Sequence, residues 1–443
     1  MRKGRRAFLL SLASAFLAAC RAALTPEPTT SQPTQTATAP PTATEPAAVP
    51  EPTITPSEPA PTATREPTRV TGISSQIAYT LPLVTRIATA DSAQFFFEFN
   101  QPAGGVLIVW PEENPAEQIL IPFDSSTRRH RLPVTGLTPG QRYRAVVGVE
   151  TEDGFTHPHY INADEQWGEI GLRTLPADGP LRFGVIGDAG FGEQTTYLLV
   201  EQMANADLDF VIHTGDVVYD IEDNASAEEA WLLKWFLPFA PVLKSMPVYP
   251  VIGNHDYDPE ARWQDTYFYY NVIPPITDEQ PNSQYYMLPH GDVQFIFFDS
   301  QVLFGQPGRQ QQEAWLGERL ADPAYRWTIP VFHVAAYTSG RRTDSDSVPV
   351  RQTWGAKFGA ANVPVAFSGH DHNYERLIIG DTTYIVSGGG SNSLYDMESE
   401  MEGSQYFEKV SHTVWVTIHA DRIELQAVAA DGRVIDTALI PLA

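Results

Sequence analysis

The run Ser-Gly-His-Asp-His-Asn-Tyr-Glu-Arg at 368–376 sets two imidazoles around one carboxylate, directly after the apolar stretch Val-Pro-Val-Ala-Phe. Imidazole and carboxylate are side chains that hold metal ions. A single H-x-H carries little weight; what counts is whether other ligand-type residues can meet it. Five more apolar runs end in polar residues: LRFGVIGD (181–188), DFVIHTGD (209–216), PVYPVIGNHD (247–256), VQFIFFDS (293–300) and RWTIPVFH (326–333). The Asp299 of VQFIFFDS reads as structural. The others supply Asp188, Asp216, Asn254 and His333, to stand beside His370 and His372. In open α/β sheets, ligands gather outside the carboxyl ends of the strands. These distant residues are therefore expected to converge.

The elements that would position them follow from the same pattern. Buried strands alternate with helix-like segments at 194–206 and 226–237, the second opened by Ser226 and Glu229 at capping-box spacing. The C-terminal runs TTYIVSGGG, HTVWVTIHAD and RIELQAVAADG are strand-rich without helices. Residues 180–443 thus read as a mixed α/β sandwich. Ser387-Gly388-Gly389-Gly390 lacks the lysine of a P-loop and reads as a tight turn that brings backbone close to the site. His213 precedes its motif inside an apolar strand and reads as packing.

Residues 78–176 carry short β-rich runs separated by turns, the pattern of a small all-β sandwich. Leu137-Thr138-Pro139-Gly140-Gln141-Arg142-Tyr143 resembles a tyrosine corner, and the stretch resembles a fibronectin type III domain. Residues 21–77 are rich in Pro and Thr, with too few apolar residues to offset ordering entropy, and read as a disordered linker. Residues 1–20, MRKGRRAFLLSLASAFLAAC, read as an export signal. Arg5 and Arg6 resemble a twin-arginine signal, and Leu17-Ala18-Ala19-Cys20 resembles a bacterial lipobox, with lipidation at Cys20. The expected location is the outer face of a bacterial cell envelope, with membrane contact only through that lipid.

Cys20 is the one cysteine, so intramolecular disulfides and Cys-ligated metal sites are excluded. With 54 acidic against 29 basic residues the net charge is −25, which disfavours nucleic acid as a stable partner. An anionic substrate would then need local positive charge.

Taken in order, Gly187-Asp188-Ala189-Gly190, Gly215-Asp216-Val217-Val218-Tyr219, Gly253-Asn254-His255-Asp256, Pro330-Val331-Phe332-His333 and Gly369-His370-Asp371-His372 resemble the calcineurin-like metallophosphoesterase superfamily. Tyr219, three residues after Asp216, is similar to the purple acid phosphatase branch. The resemblance implies Fe(III) on Asp188, Tyr219 and His372. It implies a divalent ion (Fe, Zn or Mn) on Asn254, His333 and His370, with Asp216 bridging. It implies hydrolysis of a small phosphate ester by hydroxide generated at the two ions, with His255 binding a phosphate oxygen or passing a proton to the leaving group. Asp371 reads as a spacer or hydrogen-bond partner, and Glu375 with Arg376 as a structural ion pair, with substrate contact the alternative for Arg376.

One departure concerns the pocket. Between His333 and His370 there is no histidine, where well-studied purple acid phosphatases place substrate-pocket histidines. Tyr337, Arg341, Arg342, Arg351, Trp354 and Lys357 stand there instead. A phosphomonoesterase is the leading expectation. A phosphodiesterase or nucleotidase on the same centre is the alternative, and a surface-tethered binding protein the alternative of another class. Oligomeric state is left open.

Overall fold

The structure is a computed structural model and describes residues 66–160, 167–221, 224, 226–257 and 284–442. The export signal, Cys20 and most of the linker lie outside the described residues. Among the described residues, no helix is long and apolar enough to cross a membrane.

The first part is built from β1 (Val70–Ala88), β2 (Ser92–Phe99), β3 (Gly105–Pro111), β4 (Ile119–Phe123), β5 (Arg129–Thr135), β6 (Arg142–Thr151), β7 (Gly154–Tyr160) and β8 (Ile170–Arg173). Residues 70–77, assigned to the linker from sequence, belong to β1 instead. Val70 and Ile73 pair in parallel with Phe155 and His157 of β7. Their side chains remain exposed or half-exposed, so their composition mimics a linker. The second half of β1 pairs antiparallel with β2, for example Val84 with Phe96. Phe95, Phe97 and Phe99, with Leu107, Val109 and Val147 from the other strands, fill one core. The Tyr143 hydroxyl accepts the Thr138 N–H at 2.8 Å, tying the strand back to the turn before it.

The second part contains β9 (Leu181–Ile186), α1 (Gln194–Ala204), β10 (Phe210–His213), β11 (Val248–Pro250), β12 (Tyr286–His290), β13 (Val293–Phe297), β14 (Trp327–Val334) and β15 (Val365–Gly369). It continues with β16 (Tyr374–Ile379), β17 (Thr382–Ser387), β18 (Ser404–Glu408), β19 (His412–Ile418), β20 (Arg422–Ala429) and β21 (Val434–Pro441). Among the described residues these form two sheets, ordered β11-β10-β9-β19-β20-β21 and β12-β13-β14-β15-β17-β16-β18. β9, β10 and β11 run parallel, as do β13, β14, β15 and β17.

The sheets face each other across aromatic rings. Phe183 and Phe210 stack at 5.1 Å on one sheet, and Phe295 of the other meets Phe183 edge-on at 5.3 Å. Burying each such ring contributes about 1.5–3 kcal/mol. Leu199, Val200 and Met203 of α1 cover one outer face. On the other, Trp354 and Phe358 pack on Phe298 and Phe332. The architecture is therefore a mixed α/β sandwich, with helix outside sheet on both sides.

The expected helix at 226–237 opens with Ser226 Oγ accepting the Glu229 N–H at 3.2 Å. It runs over Ala227–Trp231, then widens into a π-helical turn, Leu232–Phe236. That turn aims Lys234 at the carbonyl of Tyr219. The two parts are joined where the Tyr249 hydroxyl accepts the Ala88 N–H at 3.0 Å and Arg173 pairs with Asp209 at 3.2 Å.

Candidate metal centre

The motif residues all lie at or just past the carboxyl ends of β9, β10, β11, β14 and β15. Glycine precedes Asp188, Asp216, Asn254 and His370, and three of these glycines make room for another candidate ligand. A Cβ on Gly215 would lie 2.6 Å from His333 Nδ1. One on Gly253 would fall on the backbone N and carboxylate of Asp216, and one on Gly369 on the carboxylate of Asp188. Three motifs thus leave room for the candidate ligand of another. Gly388 does the same, since its Cβ would collide with the Asp371 carbonyl and come within 2.9 Å of Asp188 Oδ2.

Two clusters result. Ligand atoms of Asp188, Asp216 and His372 lie within 4.8 Å of one another, and so do those of Asp216, His333 and His370. Asp216 belongs to both. The Tyr219 hydroxyl joins the first cluster, 3.1 Å from Asp188 Oδ1 and 3.1 Å from His372 Nε2. Asn254 Oδ1 joins the second, 3.2 Å from His333 Nε2. All seven candidates from the sequence therefore come together. All are buried except Asn254, which is half-buried. His255 is exposed at the mouth, its ring 4.4 Å from that of Tyr219.

The outer ring nitrogens are committed elsewhere, which frees the inner ones for a metal. His333 Nδ1 meets the Thr214 carbonyl at 2.9 Å, and His372 Nδ1 meets the Ser393 carbonyl. His370 is turned the other way, with Nε2 2.8 Å from Asp346 and Nδ1 facing His333 at 3.2 Å. Asp346 escaped sequence reading, because one aspartate in an irregular loop carries no signal of its partner.

Asp188, Asp216 and His370 all have positive φ, at 56°, 53° and 69°. Among the described residues only Asp220 and Asn362 share this conformation without being glycine. Such strain persists where surrounding bonds over-determine it. Asp256 provides part of that restraint: its buried carboxylate accepts N–H groups from Val217 (2.7 Å), Val218 (3.0 Å) and Gly253 (2.7 Å). It clamps the Asp216 loop to the Asn254 loop.

The electrostatics are those of a site short of positive charge. Burial alone would raise the pKa of Asp216, but His333, His255 and His370 outweigh it and hold the carboxyl below the usual range. Burial would lower His333, yet the Asp216 carboxylate pushes it up to about 10. Burial, then the charges of Asp188 and Asp216, raise Tyr219 well above the ordinary phenol value. A bound cation reverses that logic and favours phenolate. The donor set, three acidic groups with imidazoles and one amide, fits a pair of metal ions.

Asp371 is a hydrogen-bond partner: its carboxylate accepts the Arg342 N–H at 3.2 and 3.3 Å. The expected Glu375–Arg376 pair does not form, because neighbours on β16 point to opposite faces. Glu375 accepts from Ser339 and Ser404, while Arg376 pairs with Asp436 at 2.7 Å. Asp299 caps the short helix after β13, accepting the Gln301 N–H at 2.7 Å. His213 packs between Trp235 and Phe239.

Comparison with known proteins agrees with this geometry. Residues 181–374 match the family model of calcineurin-like phosphoesterases. Purple acid phosphatase 23 of Arabidopsis thaliana is 25% identical over 278 residues, 56% of this chain and 57% of that protein. Probable purple acid phosphatase 20 of the same plant is 25% identical over 304 residues, 60% of this chain and 69% of that protein. The match to the first of these spans little more than half its length. Purple acid phosphatase PPD1 from yellow lupin (Lupinus luteus) superposes with a TM-score of 0.63 at 17% identity, over 82% of this chain and 74% of that one. PhoD superposes with a TM-score of 0.58 at 12% identity, over 84% of this chain and 93% of that one. These two share the fold. The chain therefore carries a calcineurin-like metallophosphoesterase domain, and purple acid phosphatases are among its homologues.

Proposed function

We propose that this chain is a binuclear-metal phosphomonoesterase of the purple acid phosphatase type. The observation that carries the reading is the pair of ligand clusters sharing Asp216. Asp188, Tyr219, His372 and Asp216 would hold one ion. Asn254, His333, His370 and Asp216 would hold the other. The first set offers two unshared anionic oxygens and suits Fe(III); the second offers only neutral unshared ligands and suits a divalent Fe, Zn or Mn. When bound, the ions supply positive charge for the phosphoryl oxygens and lower the pKa of a water.

The residues of the chain do the rest. The Thr214 and Ser393 carbonyls and Asp346 fix which ring nitrogens face inward. Asp256 keeps the two central loops in register. His255, exposed beside Tyr219, would give a proton to the leaving oxygen. One bond forms between water oxygen and phosphorus, the phosphorus–leaving-group bond breaks, and the leaving oxygen takes up a proton. The purified chain should hold about two metal ions, show a visible tyrosinate-to-iron absorption that Tyr219→Phe abolishes, and hydrolyse an aryl phosphate. A colourless, metal-free chain without turnover refutes the reading.

We also propose export and lipid anchoring at Cys20, and a fibronectin type III-like identity for the first β domain. The first rests on the signal motif, the second on the Tyr143 corner. Cys20→Ser should move the protein from the membrane fraction to the soluble one; unchanged fractionation refutes the anchor.

A further inference from the structure

Six residues between His333 and His370 stand where a substrate pocket would be expected, and the geometry separates them. Trp354 is fully buried against Phe298. Arg351 lies over the Tyr337 ring at 5.7 Å, and Lys357 is drawn toward Glu313 at 3.9 Å. Arg341 and Arg342 remain at the rim.

Arg342 is the better placed. Its Nη1 lies 3.5 Å from Asp346, which holds His370 of one ligand cluster. Its charge also acts on Tyr395, whose ring stacks at 4.2 Å on His372 of the other cluster. Arg342 thus stands beside partners of both clusters. Its backbone N–H is fixed on Asp371, and its buried Nε has no hydrogen-bond partner. A guanidinium has five N–H donors in a rigid fork, so these contacts leave donors to spare. Arg341 lies over the same Tyr395 ring at 5.2 Å and makes the rim more positive in a chain of net charge −25.

We propose that Arg342 donates to a non-bridging oxygen of the substrate phosphoryl group, and so widens the margin between phosphomonoester and phosphodiester turnover. The inference rests on the phosphoesterase reading above. A monoester near neutral pH carries a charge of about −1.5 to −2 on three terminal oxygens. A diester has two terminal oxygens and about one charge fewer. An arginine beyond the metal ligands matches that extra charge and bonds it at fixed geometry.

The test uses the full, metal-loaded chain with p-nitrophenyl phosphate and bis(p-nitrophenyl) phosphate, alongside metal content and calorimetric binding of orthophosphate. Arg342→Gln should lower the monoester-to-diester ratio of kcat/KM at least about tenfold and weaken orthophosphate binding by a similar factor. Metal content should stay at the parent level, and Arg342→Lys should recover part of the loss. An unchanged ratio overturns the proposal, whether both substrates slow together or neither does. Loss of metal would assign Arg342 to holding Asp346 instead. If the parent chain turns over neither ester, the phosphoesterase reading fails, and orthophosphate binding alone decides the role of Arg342.

Discussion

The Asp256 clamp gives the sharpest test of how the site is held. Its carboxylate is fully buried and accepts three backbone N–H groups, two from the loop carrying Asp216 and Tyr219 and one from the loop carrying Asn254. Asp256→Ala strands all three donors away from water. Each unsatisfied buried group costs about 1–3 kcal/mol, so the variant should lose at least about 3 kcal/mol. Asp256→Asn keeps the oxygen that serves Val217 and Val218, and turns an NH2 toward the Gly253 N–H. Its cost should be about that of one lost bond, 1–3 kcal/mol. Urea denaturation of the metal-free proteins, followed by tryptophan fluorescence, should rank them parent, Asn, Ala. Metal content should fall in the same order, because Asp216, shared by both clusters, and Asn254 move apart when the clamp goes. Equal midpoints for Asn and Ala, or an Ala variant that keeps full stability and both ions, would refute the clamp.

Three further outcomes follow from the geometry. Asp346→Asn should weaken the ion on the His370 side about 10–100-fold, while the Tyr219 side keeps its ion and its colour; metal analysis with visible absorption separates the two. Gly253→Ala drives a methyl group into Asp216 and should lower metal content and thermal stability together, measured on the same preparation. The third concerns pH. His333 rises from 6.5 to about 10 against burial, through the Asp216 carboxylate, so the metal-free fold holds a proton there that the unfolded chain releases. Its stabilising contribution is complete below about pH 6.5 and is lost as pH rises toward 10. A metal ion needs the neutral ring, so metal uptake should release a proton and tighten as pH rises over that interval. Calorimetry in buffers of different ionisation enthalpy counts the proton; uptake that is independent of pH would contradict the His333–Asp216 pairing.

The convergence of the candidate ligands was legible because each one sits at or shortly past one of five strand ends, and local apolar runs mark strand ends well. The glycines before them were visible as motif letters, but their reason was not. It is a clash with the ligand of another strand, which no local pattern encodes. Asp346 was hidden for the same reason: its partner His370 lies across the fold. The start of β1 was missed because residues 70–77 show mostly polar, exposed side chains and take their order from pairing with β7. The Glu375–Arg376 pairing failed on strand geometry, since adjacent charges look like partners in a string of letters and are not partners on a pleated strand.

The left-handed backbone at Asp188, Asp216 and His370 bears on how this chain would respond to selection. Glycine at any of the three would relieve a steric conflict of about 1–2 kcal/mol, and at the two aspartates it would also remove a buried charge. Laboratory evolution for heat tolerance alone would therefore be drawn toward these positions, and every step would erase a ligand. A thermostabilised descendant that kept its fold and lost its chemistry first at 188, 216 or 370 would display that trade-off directly.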